Sequence, residues 1–142
     1  MEQGKVLALQ ISTQSGQPMS PLEEANAISG VGLEGDRHAE RGNPRQVLLM
    51  DKETLDMLAL TTGVIKENIT LEGIDLSSVK PGNVFFIGED VTLEATGLCE
   101  PCGRMDMLRP GLQEALQERR GVLAMVLNGG TLRVGDNVRL EP

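Results

Sequence analysis

Few side chains in this sequence could do chemistry. The two cysteines stand in Cys99-Glu100-Pro101-Cys102-Gly103-Arg104, and the one histidine, His38, sits among Arg37, Arg41 and Arg45. A lone C-x-x-C has three chemical readings: a redox pair, half of a metal site, or one reactive thiol beside a bystander. A thioredoxin-like pair wants a βαβ context, which the strand-rich pattern here does not supply. A structural zinc site needs four ligands, and His38 is the only other soft candidate. What remains is a single nucleophilic or metal-ligating thiol. Cys102 is favoured, because Arg104 lies two positions on and a cation supports thiolate, whereas Cys99 adjoins Glu100. The plain alternative is that both cysteines are small buried hydrophobes.

The second candidate is the run Arg37, His38, Arg41 and Arg45, four potential cations within nine positions of a chain whose 13 Lys+Arg face 21 Asp+Glu, for a net charge of −8. Guanidinium groups hold phosphate through paired donors, so this run marks a local anion site, unless it is simply a solvated loop. The overall balance argues against nucleic acid, which requires a net basic footprint. Two Phe, no Tyr and no Trp leave almost nothing on which unpaired bases could stack. The longest apolar run, Val122 to Leu127, falls far short of the ~18–20 residues of a membrane helix, and the N-terminus has no signal-peptide pattern, so the expectation is a cytoplasmic protein without a membrane partner.

The elements that must position these residues are mostly strands. At 142 residues the chain is expected to be one domain, 1–142, and 17 glycines between short apolar runs suit an all-β module with many turns. Leu7, Leu9 and Ile11 alternate with polar or small residues in a first strand over Lys5–Ser12. Further strands are expected at Gln46–Met50, Asn68–Glu72, Asn83–Ile87, Val91–Ala95, Val122–Leu127, Leu132–Val134 and Asn137–Leu140, with Gly88-Glu89-Asp90 closing a hairpin. Asp51 stands as the N-cap of a short helix that Gly63 should end, and Pro110 and Gly121 frame a second with Leu112, Ala115 and Leu116 on one face and Arg119 and Arg120 in its last turn. Lys80-Pro81-Gly82-Asn83-Val84 faintly echoes Arg133-Val134-Gly135-Asp136-Asn137-Val138, which reads as two similar turns. Six to eight short strands with two or three short helices imply a mainly β protein, a closed or nearly closed β-barrel.

Several segments taken together resemble the MOSC family, the domain named for the C-terminal part of molybdenum cofactor sulfurases. They are Gly32-Leu33-Glu34-Gly35-Asp36-Arg37-His38, Arg45-Gln46-Val47-Leu48-Leu49, Glu67-Asn68-Ile69-Thr70-Leu71-Glu72-Gly73-Ile74-Asp75-Leu76, Pro101-Cys102, and Gly129-Gly130 with Val134-Gly135-Asp136. Their order extends from about Val6 to Leu140. The resemblance implies a β-barrel with a few helices and a role in molybdenum cofactor chemistry, as a sulfur carrier or as a binder of the molybdopterin cofactor. Cys102 matches the family's cysteine, expected to hold sulfur as a persulfide or to ligate molybdenum. By the same resemblance Arg45, Gln46 and Asn68 line its pocket; Arg37 and His38 from the basic run and Arg104 beside Cys102 complete the expected cofactor-binding set.

A chain of this size leaves no room for the pyridoxal-phosphate desulfurase domain of full sulfurases. Pyridoxal phosphate is therefore not expected here, and a cysteine desulfurase or another donor would supply sulfur, with a molybdenum enzyme as acceptor. The aromatic residue that often follows the family's Pro-Cys is replaced by Gly103-Arg104, and Cys99 is an addition. Two alternatives stand beside the sulfur carrier: a non-catalytic module that stores or hands over molybdenum cofactor, and a small C-x-x-C metal-binding protein unconnected to pterins.

Overall fold

The computed structural model describes residues 2–141. The strands among them, in chain order, are β1 (Glu2–Ile11), β2 (Ser20–Leu22), β3 (Glu24–Ile28), β4 (Gly32–Leu33), β5 (Val47–Asp51), β6 (Ile69–Glu72), β7 (Val84–Ile87), β8 (Val91–Leu98), β9 (Val122–Asn128), β10 (Gly130–Arg133) and β11 (Asn137–Glu141). Three short helices accompany them: α1 (Lys52–Met57), α2 (Gly103–Leu108) and α3 (Leu112–Ala115), with a 3-10 turn at Leu76–Ser78. Seven strands close on themselves in the order β1-β11-β7-β8-β9-β5-β6 and back to β1, so the expected barrel is present. Closure is possible because the ten-residue β1 serves two partners. Its first half pairs with β11 and its second with β6, and its last residues also carry β2. Pairing is antiparallel except between β5 and β6.

The interior is filled by aliphatic side chains, with Phe85 as the one fully buried aromatic ring. Leu49, Ile69, Leu71, Ile87, Leu93 and Val122 are wholly inaccessible, as a small barrel packed with branched residues requires. A second cluster of Met50, Leu55, Ile65, Met105, Leu112 and Leu116 lies outside the barrel and binds the three helices to β5.

Several expectations need correction. The first strand does not bury Leu7, Leu9 and Ile11 as one face. Val6 and Leu9 are both 1 % exposed while Leu7 is half-buried, because the pairing with β6 slips between Val6 and Ala8. That bulge changes which parity faces inward. Asp51 does cap α1, accepting from Thr54 N, but the helix stops at Met57 rather than at Gly63. Ala59 takes a left-handed φ of +54°, with Ala59 N bonding Asp56 O and Leu60 N bonding Leu55 O. This C-terminal motif normally uses glycine, so an alanine gave no signal. The single helix expected between Pro110 and Gly121 is only α3, which leaves Ala115 exposed and Arg119 and Arg120 beyond its end, and α2 precedes it without having been expected. Strands β3, β4 and β10 form a separate small sheet. Its inward positions on β3 are Ala25 and Ala27, too small to stand out as an apolar alternation.

The two echoing segments are alike in structure. Asn83 N bonds Lys80 O and Asp136 N bonds Arg133 O, with Gly82 and Gly135 at φ +94° and +96°. In each turn the side chain of the fourth residue accepts the first residue's N–H, Asn83 Oδ1 from Lys80 and Asp136 Oδ2 from Arg133. They lead into β7 and β11, which are neighbours in the barrel.

Gly121, which starts the run into β9, combines a φ of +110° with a backbone so close to β5 that a Cβ would lie 2.4 Å from Leu49 O. Gly121→Ala should therefore cost more than about 3 kcal/mol in urea unfolding. Gly82→Ala, with the same sign of φ but open space around it, should cost about 1–2 kcal/mol. Equal losses at the two positions would refute the close-approach argument.

Candidate functional site

The residues singled out by type and spacing are brought together only in part. One cleft, of about 310 Å³, is lined by Arg37, His38 and Arg45 from the loop between β4 and β5, by Lys66 and Asn68 ahead of β6, and by Cys99, Glu100, Cys102 and Arg104 beyond β8. Arg120, just before β9, also lines it, and Leu48, Val64, Met105, Leu108 and Leu123 supply its apolar wall. Arg41 and Gln46 are not among its lining residues.

The loop carrying the basic residues is held by Asp36. Its side chain is fully buried, and it accepts hydrogen bonds from Ser12 N at 2.7 Å, His38 N at 3.0 Å and Asn68 Nδ2 at 3.2 Å. His38 Nδ1 lies 3.3 Å from the same carboxylate. Arg37 is pinned through Nε to Ser12 Oγ and through its backbone N–H to Ser12 O. Further along, Asn43 bonds both His38 O and Arg45 N, and Thr96 Oγ1 bonds Pro44 O. An otherwise irregular loop is thereby tied to the barrel on both sides.

Asn68 borders the cleft, but its polar groups serve the barrel. Both amide hydrogens are committed, to Gln10 O and Asp36 Oδ1, and Oδ1 accepts from Leu48 N. It joins β1, β5 and β6 where they separate. Gln46 is fully buried, donating to Gly30 O and Glu40 O and accepting from Val126 N. These two residues hold the walls in place; the exposed cations Arg37, Arg45, Lys66 and Arg104 form the mouth.

The cysteines differ in burial. Cys99 is 6 % exposed, packed with Leu48 and Leu123, and its backbone N–H bonds Gly121 O. Cys102 is exposed at the start of α2, and its side chain makes no capping bond. The two thiols are not joined in a disulfide, and one is buried while the other faces solvent. Among the described residues no three His, Cys, Asp or Glu side chains converge as metal ligands, which leaves a closed zinc site short of donors.

Two members of the site carried no motif of their own. Lys66 stands at φ +71° with Nζ on Gln17 O, and the buried Arg120 bonds Ile65 O through Nη2 at 2.6 Å. Near Arg120 lies Glu67, which has no exposed surface at all. Its Oε2 accepts from Thr70 Oγ1, which in turn accepts from Gln10 Nε2, and its Oε1 has no hydrogen-bond partner. Burial pushes the Glu67 carboxyl above its ordinary value of 4.5, and the nearby backbone, Thr70 and lastly the charge of Arg120 oppose this without cancelling it.

Size does not mark the site. A larger cleft of about 500 Å³ is lined by Glu2, Asp51, Glu53, Asp75 and Glu118 with Arg119. Four of those carboxylates are used locally: Asp51 caps α1, Asp75 caps the 3-10 turn, Glu53 accepts from Gly73 N and Glu2 from Asp75 N. Of these two clefts, the smaller brings a free thiol together with an excess of cations.

Fold and cleft define a small β-barrel protein with an exposed thiol at a basic pocket. A family model for the MOSC domain matches residues 36–139, and the chain belongs to that family. Solved structures agree on the fold. YuaD from Bacillus subtilis superposes with a TM-score of 0.80 at 21 % identity, over 99 % of this chain and 98 % of that one. YiiM from Geobacillus stearothermophilus gives 0.75 at 16 %, over 98 % and 75 %, and YiiM from Escherichia coli 0.73 at 18 %, over 97 % and 70 %. No curated protein matches the sequence.

The state of Glu67 has a measurable consequence. The folded carboxyl keeps its proton at pH values where the unfolded one has lost it, so its contribution to stability is complete below 4.5 and is lost as pH rises through the higher folded-state value. Glu67→Gln should abolish that decline. Urea unfolding of parent and variant from pH 4 to 8 should show their difference changing in the variant's favour as pH rises; a constant difference would mean that Glu67 does not titrate in this window.

Proposed function

We propose that this MOSC protein binds the anionic end of a molybdenum-pterin ligand in the basic cleft and uses Cys102 as its reactive thiol, carrying sulfur for molybdenum cofactor maturation. The observation that carries the reading is the exposed thiol of Cys102 opening on a cleft with five cationic side chains and one carboxylate, in a protein of net charge −8. Field lines from such a patch draw a phosphate-bearing ligand to one spot on an otherwise acidic surface.

The residues fit the cofactor that the family implies. Arg37, Arg45, Lys66 and Arg104 would hold its phosphate, Leu48, Val64 and Leu123 would flank the ring system without aromatic stacking, and the Cys102 thiolate is a soft donor suited to molybdenum. Bound there, the group would supply a metal centre able to accept a sulfur ligand. In the carrier reaction the Cys102 thiolate attacks the outer sulfur of a donor persulfide. The new S–S bond forms on Cys102, the donor's S–S bond breaks, and the donor leaves as a thiol after taking up a proton. A cysteine desulfurase is the donor and a molybdenum enzyme the acceptor in this reading. Both cysteines are free thiols, as a reducing cytoplasm would keep them.

Cys102→Ser should abolish persulfide loading after incubation with a cysteine desulfurase and cysteine, read by peptide mass, while far-UV circular dichroism stays unchanged. Cys99→Ser, at a buried position beside the cleft, should retain most of the loading. Undiminished loading in Cys102→Ser would overturn the assignment. Bound molybdenum and pterin in the purified protein without any sulfane sulfur would instead favour storage and hand-over.

Arg45 is exposed at the mouth, so its contribution is screened. Arg45→Ala should weaken binding of a phosphate-bearing pterin by about 1 kcal/mol in titration calorimetry, the low end for a charge-assisted contact. Equal affinities would make Arg45 a surface charge only.

A further inference from the structure

Helix α2 buries little of its apolar surface. Its one buried residue is Met105, while Met107 is 86 % exposed and Leu108 48 %. Isolated apolar residues on a surface are ordinary, and Leu127 and Val134 are examples here. This pair is not isolated. Residues three and four apart on a helix are neighbours, so Met107 and Leu108 share one face with Arg104, a turn nearer Cys102. Arg104 and Leu108 also line the cleft, which makes this face continuous with the site. Past the end of α2, Arg109 anchors Nη2 on Leu58 O at the end of α1, where Leu58, Leu60 and Val64 are only partly buried. Along this strip and the cleft mouth stand Arg37, Arg45, Lys66, Arg104 and Arg109, all exposed, and none of them forms an ion pair among the described residues. Of the neighbouring carboxylates, Glu100 lines the cleft and Asp106 accepts from Gln113 N.

We propose that the face of α2 formed by Arg104, Met107 and Leu108, with Arg109, is the docking surface for the protein that delivers sulfur to Cys102, a donor whose persulfide-bearing segment is apolar at its centre and acidic at its edge. A ligand held within the cleft would leave Met107 uncovered, since Met107 is not among the lining residues; a protein surface lying across the mouth would cover it. An apolar centre with charges at its rim gives such a contact both affinity and orientation. The unpaired cations select the sign of the partner's rim, and a basic partner is rejected at the same place. This inference rests on the reading of Cys102 as a sulfur carrier. Transfer requires the donor's outer sulfur to reach the Cys102 thiolate: an S–S bond forms on Cys102 as the donor's S–S bond breaks, the donor leaves as a thiolate that takes up a proton, and no oxidant is consumed.

The test compares two donors that share this chemistry and differ in size: a cysteine desulfurase charged with cysteine, and glutathione persulfide. Met107→Asp should slow loading of Cys102 by the desulfurase about tenfold. Arg109→Glu should slow it about threefold, while both variants load from glutathione persulfide within about twofold of the parent. Val134→Asp, at an exposed apolar position outside the cleft, should load like the parent from either donor. Rates are read by peptide mass. Circular dichroism and urea midpoints identify any variant that has not folded, and Met107→Asp, at so exposed a position, carries the decision. Parent-like loading of Met107→Asp by the desulfurase would overturn the proposal, as would equal slowing with both donors, which would mean a local effect on the thiol. So would a parent loaded by glutathione persulfide and not by the desulfurase, an outcome that leaves Cys102 a sulfur-accepting thiol without this surface. A parent loaded by neither donor would overturn the sulfur-carrier reading itself, and this surface with it. A dimer of the parent in sedimentation that Met107→Asp separates would assign the face to a second copy of the chain instead.

Discussion

The carboxylate of Asp36 is buried without a full ion pair, and the rest of the site depends on how its oxygens are satisfied. A charged group out of water is tolerated only when hydrogen bonds replace its hydration. Asp36 obtains them from three separate places: the end of β1 through Ser12 N, the entry to β6 through Asn68 Nδ2, and its own loop through His38 N. Each of these also has another bond to make. Asn68 goes on to Gln10 O and Leu48 N, and Ser12 receives Arg37. The basic loop is therefore positioned by one internal carboxyl group whose bonds reach three parts of the chain.

A polar layer continues from this point beneath the cleft. Gln10, Thr70 and Glu67 form a chain of hydrogen bonds that ends beside Arg120. In a barrel otherwise filled with apolar side chains, these polar groups are buried. Buried polar networks of this kind fix one geometry because any shift leaves a member unpaired. The same arrangement concentrates cations on one cleft while carboxylates line another.

Much of the barrel was legible because its strands are short runs of buried Leu, Ile and Val bounded by turn residues, alternating in β7 and β11 and nearly continuous in β5 and β9. The hairpin of β7 and β8 and strands β6, β9 and β11 lie close to where the pattern placed them. Legibility failed where the signal was carried by small residues or by backbone alone. Alanines at 25 and 27 pack as well as larger residues where the small sheet lies close, yet they do not register as an apolar face. The left-handed Ala59 ended α1 without the glycine that usually announces such an end. The bulge in β1 exchanged Leu7 for Val6 in the core, which no periodicity contains, since it arises from the pairing partner.

The sequence by itself determined the kind of protein. The excess of glycine, the short apolar runs, Cys102 two positions from Arg104 and the basic run after Asp36 are local properties, and they point to a barrel with a candidate thiol and a cluster of cations. Only the tertiary structure decided which residues share that site. Arg41 lies within the basic run yet outside the cleft, and Gln46 and Asn68 spend their hydrogen bonds on the barrel walls. Arg120 belongs to the cleft although nothing nearby in sequence marks it. It lies there with its guanidinium bonded to Ile65 O, 55 positions away in the loop before β6. Sequence spacing fixes what a residue can do chemically; contacts between distant segments fix where that chemistry is exposed, because burial and hydrogen-bond partners exist only once the chain has closed on itself.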